Sequence, residues 1–556
     1  MRRAVLASLA ALAASGCVSA AVRPSPNATP YADFLIGRFA ERSRDPVVAA
    51  ERYAAALRNS PRDAMLLQGA ADSALAAGDA AAAATFARQA QARGVEASSG
   101  RLAAAVFAMR EGRTKDVRRN LDDFDGPPAE LLTARLLSVW SRVDGGDVEA
   151  ALAELGGETL PQRSPWAALQ YYQRAMVFDH AGRVEEALDA YERGGGVGGL
   201  RIAQIVTHHG QALERAGRKA DAAALYRDFL ADVDNPGVAA ELARLSSNGP
   251  PPAPFAATRG AAVALFTLSV LIAQDPTSRE QLAPLSLAMA LDPALEAPRI
   301  AFADAMQALN QGETARRALG AIPEPSPYFE NAQSQIAYGL RAEGRADEAV
   351  AILKAIVDRG GGRVSRRALA DLYRNLDRNA EAAALYASLV AELNPPTRRD
   401  WRLYLAQGAT LERLGQWPAA EAALQQALVV SPDRPEVLNY LGYTWVDTGA
   451  KVREGLALLE RAVAQEPDEG YIIDSLGWAH FRLGNFGQAV EYLERAVELS
   501  PGDSTLNDHL GDAYWRVGRR IEARYQWRRV LTLNAPADEH AGAGKKLAEG
   551  LPAPAR

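Results

Sequence analysis

Cysteine is nearly absent from this chain of 556 residues: Cys17 is the only one. A single thiol cannot close an internal disulfide or build a cysteine-based metal site. Histidine is sparse too, with His180, His208, His209, His480, His509 and His540 scattered along the sequence. Only His208 and His209 adjoin, and neighbouring helical positions point about 100° apart, a poor face for a metal ion. Basic residues are not in excess, since 62 Lys and Arg stand against 68 Asp and Glu for a net charge of −6. No surface built to neutralise phosphates is indicated, so nucleic acid is not an expected partner. The sequence contains no Gly-rich phosphate loop, GxSxG elbow or HExxH pair, and beyond the N-terminus no run is apolar enough to span a bilayer. No catalytic residue, metal or cofactor is assigned, and a non-enzymatic protein is expected.

What is present is mostly alanine-rich, helix-forming sequence. Apolar residues make up 48% and charged residues 23%, with aromatics at only 7%, a balance that favours close-packed small-residue helices over strands. At the N-terminus, Arg2 and Arg3 precede the apolar "AVLASLAALAAS", the pattern of a secretory signal. Ala14-Ser15-Gly16-Cys17 resembles the lipobox of bacterial lipoproteins, although Ala14 stands where leucine is commonest. The resemblance implies cleavage after Gly16 and lipidation of Cys17. Val18, where some bacteria read aspartate as a retention signal, implies the periplasmic side of the outer membrane. The alternative is ordinary cleavage after Val18-Ser19-Ala20, leaving a soluble periplasmic protein.

A repeat dominates the C-terminal third. Leu441-Gly442, Leu476-Gly477 and Leu510-Gly511 recur at spacings of 35 and 34 residues, followed in register by Gly449, Gly484 and Gly518. Pro432, Pro467, Pro501 and Pro536 close the units, and Ala427, Ala462 and Ala496 lie five residues before the first three. These landmarks resemble the tetratricopeptide repeat, which implies an all-α fold: a right-handed superhelical α-solenoid of helix-turn-helix units. Apolar spacing gives each unit two helices, with Gly484 suited to the turn and Gly477 and Ala489 small where helices meet. Leu476, Ala479 and Leu483 are expected on the packed face. Weaker copies, marked by Gly182, Gly217, Gly344 and Gly415, extend the pattern to about 13 or 14 pairs, each burying its face only against its neighbours.

The organisation read from these signals is a signal peptide over 1–16, a lipidated tether over 17–30, and a solenoid over 31–247. A Pro-rich loop or hinge at 248–260 leads to a degenerate solenoid over 261–392. A loop at 393–400, a well-formed block over 401–536 and a terminal helix or tail over 537–556 complete the chain. The only room for a non-repeat catalytic block, such as a glycan-processing one, is about Gly195 to Asp292.

In tetratricopeptide solenoids the first helices line the concave surface, so this resemblance implies a groove for protein or peptide. Asp474, Trp478 and Phe481 fall on one helical face. Asn439, Tyr443 and Asp447 precede them in register; Asp508, Asp512, Trp515 and Arg516 come after; Arg402, Arg413 and Arg482 add positive charge. Carboxamide and carboxylate groups suit a peptide backbone, aromatics suit anchor pockets, and arginine grips carboxylates. As groove residues, Trp478 and Trp515 would tolerate alanine with melting nearly unchanged; as packing between repeats, they would not.

From Pro435 to Trp527, the first helices with Leu-Asn-Tyr-Leu-Gly-Tyr and Ile-Asp-Ser-Leu-Gly-Trp, taken with the signal and lipobox, resemble the bacterial lipoproteins that act as adaptors for carboxy-terminal processing proteases. The resemblance implies envelope partners, namely a periplasmic protease and peptidoglycan hydrolases, with the membrane touched by the lipid anchor only. A scaffold for envelope assembly or polysaccharide export would share this architecture. Replacing Cys17 with serine is expected to release the protein from the membrane fraction, and continued anchoring would refute lipidation at that residue.

Overall fold

The computed structural model describes residues 29–95, 97–156, 165–196, 201–273 and 279–552, and Cys17 with its signal and tether lies outside them. The described residues are all-α, with thirty α-helices and no strand among them. No helix among them is long and apolar enough to cross a membrane. They form two compact units that divide between Ser365 and Arg366.

In the C-terminal unit the period of the sequence becomes helix pairs. Trp401–Arg413 pairs with Trp417–Val430, Pro435–Thr448 with Val452–Gln465, Gly470–Arg482 with Phe486–Leu499, and Ser504–Arg516 with Arg520–Thr532; Ala537–Glu549 comes last and alone. Within the third pair, Leu476, Ala479, Ala489 and Leu493 are buried. A Cβ built on Gly477 would lie 2.7 Å from Leu493 Cγ, so only glycine permits this approach. The chain then reverses at Gly484, whose φ of 79° is costly for a residue with a side chain. Its N–H donates to Phe481 O and that of Asn485 to His480 O, satisfying carbonyls at the helix end. Leu483, expected on the packed face, is instead exposed, because the helix stops at Arg482 and Leu483 lies in the cap.

The structure also shows a link between repeats that the landmarks do not reveal. Arg461, Arg495 and Arg529, each on a second helix, donate to the carbonyls of Pro432, Pro467 and Pro501 at 2.9, 2.7 and 2.7 Å. The prolines therefore end one unit and, through their free carbonyls, hold the next.

The N-terminal unit departs from a simple solenoid. Helix pairs run from Pro30–Arg42 to Lys219–Asp232, with the landmark tyrosines Tyr53, Tyr191 and Tyr226 almost wholly buried. Pro236–Ser246, Ala257–Ile272 and Leu282–Leu291 then interrupt the pairing before it resumes at Ala297–Ala308. Ala257–Ile272 and Leu282–Leu291 are apolar nearly all round and pack back on Ala64–Ala76, Ser98–Arg110, Pro128–Asp144 and Pro165–His180. Gly260 meets the Trp140 ring so closely that a Cβ would lie 2.2 Å from it. The expectation that every pair buries its face only against its neighbours thus fails here: apolar sequence later in the chain covers the earlier helices. The stretch singled out as room for a catalytic block holds, where it is described, the pair Ala203–Arg215 and Lys219–Asp232, then Pro236–Ser246, the Pro-rich segment, Ala257–Ile272 and Leu282–Leu291.

The Pro-rich segment before Ala257 is tied down by Phe255, whose ring stacks on His208 at 4.5 Å and whose carbonyl accepts from His180 Nδ1 at 2.8 Å. Burial pushes His208 down to about 3, with Arg259 and Arg215 adding to the effect, so it is a neutral stacking ring across the physiological range.

Gly477→Ala is expected to destabilise the protein by about 1 to 3 kcal/mol through overpacking, less any gain in helix propensity. Gly487→Ala, where a Cβ would meet nothing within 4 Å, is expected to be neutral or slightly stabilising. Paired thermal melts check the contrast, and equal effects would contradict the close-approach account.

Candidate functional site

Stacking sets the first helices side by side, so residues one repeat apart become neighbours. A concavity of the C-terminal unit lies along Pro435–Thr448, Gly470–Arg482 and Ser504–Arg516. Its lining includes Tyr443, Asp447, Asp474, Trp478, Asp508 and Asp512. Six of the thirteen expected groove residues are thus brought together. The cleft is narrow, about 60 Å³.

Two of its lining residues, Trp478 and His509, belong to a stack of three rings. Trp478 lies between Phe481, at 4.8 Å and 9°, and His509 of the next repeat, at 4.1 Å and 16°. Each such contact contributes on the order of 1 kcal/mol beyond area burial. His509 Nδ1 donates to Asp474 Oδ2 at 2.9 Å. Burial alone would lower the His509 pKa, but Asp474, with Asp508 and Asp512 behind it, holds it above the ordinary histidine value. The cationic ring on the tryptophan face adds a cation–π component. The stability gained from this raised pKa is complete below the unfolded-state value and is lost as pH rises through the folded one.

At the far side, Lys546 of Ala537–Glu549 donates to Asp508 at 2.6 Å and to Asp512 at 2.8 Å. Trp527 Nε1 donates to Asp512 Oδ1 at 3.0 Å. Burial, and repulsion from Asp508, push Asp512 above the usual carboxylate range against the pull of Lys546. Burial likewise raises Tyr443, with Asp447 and Asp474 adding to it, so its phenol stays protonated.

The other expected residues lie elsewhere or are already engaged. Arg482 bonds Asp447 Oδ1 at 3.4 Å and its carbonyl at 3.0 Å. Arg413 donates to Arg374 O at 3.2 Å, and Arg402 lies over the Trp401 ring. Asn439 is buried, with no partner for its side-chain oxygen among the described residues. Trp515 faces the chain's own end: its indole donates to Leu551 O, Arg520 covers its ring at 3.7 Å, and Arg516 donates to Pro552 O. The arginines pictured as gripping a carboxylate are therefore held by intramolecular carbonyls and side chains, and the open lining is acidic.

His509, Tyr471, Asp503, Glu539 and Lys546 were not singled out from sequence. His509 follows Asp508 and Asp474 in register and was recoverable. Lys546 was not, since it lies on the terminal helix, where the landmarks stop.

A second, larger cavity of about 450 Å³ lies within the N-terminal unit, lined by Glu41, Asp72, Ser99 and Glu130 among others. Burial pushes Asp72 up to about 6, opposed by a hydrogen bond from Ser99. These residues share no repeat register, so no sequence signal marked them. Among the described residues, no group of three or more His, Asp or Glu side chains is arranged to hold a metal ion.

Residues 405–470 and 472–503 match tetratricopeptide repeat family models. A TPR repeat-containing protein of Pseudomonas aeruginosa, PA4667, is 32% identical over 93 residues, 17% of this chain and 16% of that protein. The BBSome complex member bbs-4 of Caenorhabditis elegans is 33% identical over 85 residues, 15% of this chain and 18% of its own length. The chain thus spans less than a fifth of either relative. Among solved structures, the APC/C hetero-tetramer Cut9-Hcn1 aligns over 94% of this chain and 97% of that one, at 15% identity and a TM-score of 0.40. A tetratricopeptide repeat protein from Parabacteroides merdae aligns over 45% and 98%, at 14% identity and a TM-score of 0.38.

Trp478 is 8% exposed, so its alanine variant is expected to destabilise the unit by about 3 kcal/mol, contrary to the silent substitution that a free groove residue implies. In the histidine NMR titration, His509 should protonate above the ordinary value in the native protein. In Asp474→Asn it should fall below that value, because burial is then left with less opposition. An unchanged midpoint would contradict the pairing.

Proposed function

We propose that the chain is a lipid-anchored scaffold on the periplasmic side of the bacterial outer membrane, and that the cleft of its C-terminal unit holds an envelope protein. The repeats are those of protein-interaction scaffolds, and protein partners follow from them in general. The observation that carries the reading is the convergence of Tyr443, Asp474, Trp478 and Asp508 from three consecutive first helices on one open concavity. Two aromatic and two acidic side chains, drawn from separate repeats and sharing one concavity, are the composition of a recognition site.

Anchoring rests on Ala14-Ser15-Gly16-Cys17. The partner we propose is a carboxy-terminal processing protease, to which the scaffold presents substrates such as peptidoglycan hydrolases; the likeness of the Pro435 to Trp527 region to such adaptors supports it. An envelope-assembly or polysaccharide-export scaffold is the competing reading. The test is affinity capture from detergent-solubilised membranes with partners identified by mass spectrometry. A processing protease should co-purify with the native chain; recovery of secretion components in its place would overturn the adaptor reading.

A further inference from the structure

The charge of the cleft indicates the kind of segment it fits, an inference that rests on the cleft being the binding site. Six carboxylates line it: Asp447, Asp474, Asp503, Asp508, Asp512 and Glu539. Four have cationic partners within the chain, namely Arg482, His509 and the shared Lys546. The other two are held by neutral donors. Asp503 accepts from the N–H groups of Thr505 and Leu506, at 2.9 and 3.2 Å, while Glu539 accepts from the hydroxyls of Ser504 and Thr505, at 2.7 and 3.0 Å. Burial raises the Asp503 pKa, and repulsion from Asp474 and Glu539 adds to it, against the hydrogen bonds from the Leu506 and Thr505 N–H groups.

Two independent observations point to an occupant. The indole N–H of Trp478, a residue only 8% exposed that lines this cleft, has no acceptor among the described residues. A buried donor without a partner costs on the order of 1 to 3 kcal/mol, which an incoming carbonyl would recover. The second is Lys546, whose ammonium lies between Asp508 and Asp512 at 2.6 and 2.8 Å. It shows the chemistry the cleft accepts: a slender cationic side chain from a helix that comes after the last repeat. Asp503 and Glu539 offer a second acidic pair with no cationic partner among the described residues.

We propose that this cleft takes a basic, extended segment of a partner protein, with a lysine or arginine against Asp503 and Glu539 and a backbone carbonyl on the Trp478 indole. Peptides bearing a free carboxylate or acidic side chains are disfavoured, because the arginines that would receive them are engaged within the chain.

The test is fluorescence anisotropy of the purified chain with three labelled short peptides of one sequence, carrying lysine, glutamine or glutamate at the same positions. Asp503→Asn with Glu539→Gln removes two charges. The Asn oxygen still accepts from Thr505 and Leu506, while Gln keeps one of the two oxygens of Glu539 that accept from Ser504 and Thr505, and a thermal melt checks that the variant folds as the native chain does. Glu491→Gln with Glu498→Gln, both exposed on the neighbouring second helix, controls for general attraction to an acidic protein. The lysine peptide should bind about tenfold tighter than the glutamate peptide, weaken about fivefold in the cleft variant, and lose affinity with salt. The control variant should bind it about as well as the native chain. If the glutamine or glutamate peptide binds as tightly, and Trp478→Phe still weakens it, the charge inference fails while the cleft stands. If no peptide responds to any cleft substitution, the cleft reading falls with it.

Discussion

The closeness with which two helices meet at a glycine is the constraint on which the C-terminal unit depends. Gly477 lies against Leu493, Gly442 against the carbonyl of Gly455, and Gly511 against the Trp527 indole, each leaving no room for a Cβ. With the helices of a pair fixed, the turn glycine sets the reversal, and the arginine-to-proline-carbonyl bonds set the next pair. A period in sequence then becomes a distance in space. Asp474 reaches His509, and Asp447 reaches Arg482, each across 35 residues. The cleft is therefore a product of stacking, and no single repeat contains it.

The two units use their first helices differently. In the N-terminal unit, Ala257–Ile272 and Leu282–Leu291 lie on them, with apolar side chains on every face. In the C-terminal unit the corresponding positions carry carboxylates, tyrosine and tryptophan. Apolar surface buried by the chain itself is core. Carboxylates and an indole without full partners are poor core, and their presence at an opening is what a binding surface requires.

The all-α class and the repeat period were legible because glycine marks the turns: Gly182, Gly217, Gly344, Gly415, Gly449, Gly484 and Gly518 all take positive φ. The fainter units were harder to read because Asn310 and Asp377 fill that turn instead, with φ of 59° and 57°. Both residue types tolerate the left-handed region, so the geometry persists where the glycine signal lapses. The helices that fold back in the N-terminal unit were not legible, since uniform burial erases the periodicity that marks a helix face. For the site, helical spacing identified the residues of consecutive first helices. It could not show that Arg482 and Arg516 are occupied, that Trp515 faces the chain's end, or that Lys546 enters from beyond the repeats. Those outcomes depend on side-chain reach across tertiary contacts, which a periodic pattern does not encode.

The central claim is that partners meet this protein at the cleft. Site-specific photo-crosslinking tests it most directly: a benzoylphenylalanine at Tyr471, which lines the cleft, is compared in living cells with one at Glu491 on the exposed side of the adjoining second helix. The account predicts a defined protein adduct from position 471 and none from 491. Adducts from 491 alone would place the interaction surface on the other side of the repeats and contradict it.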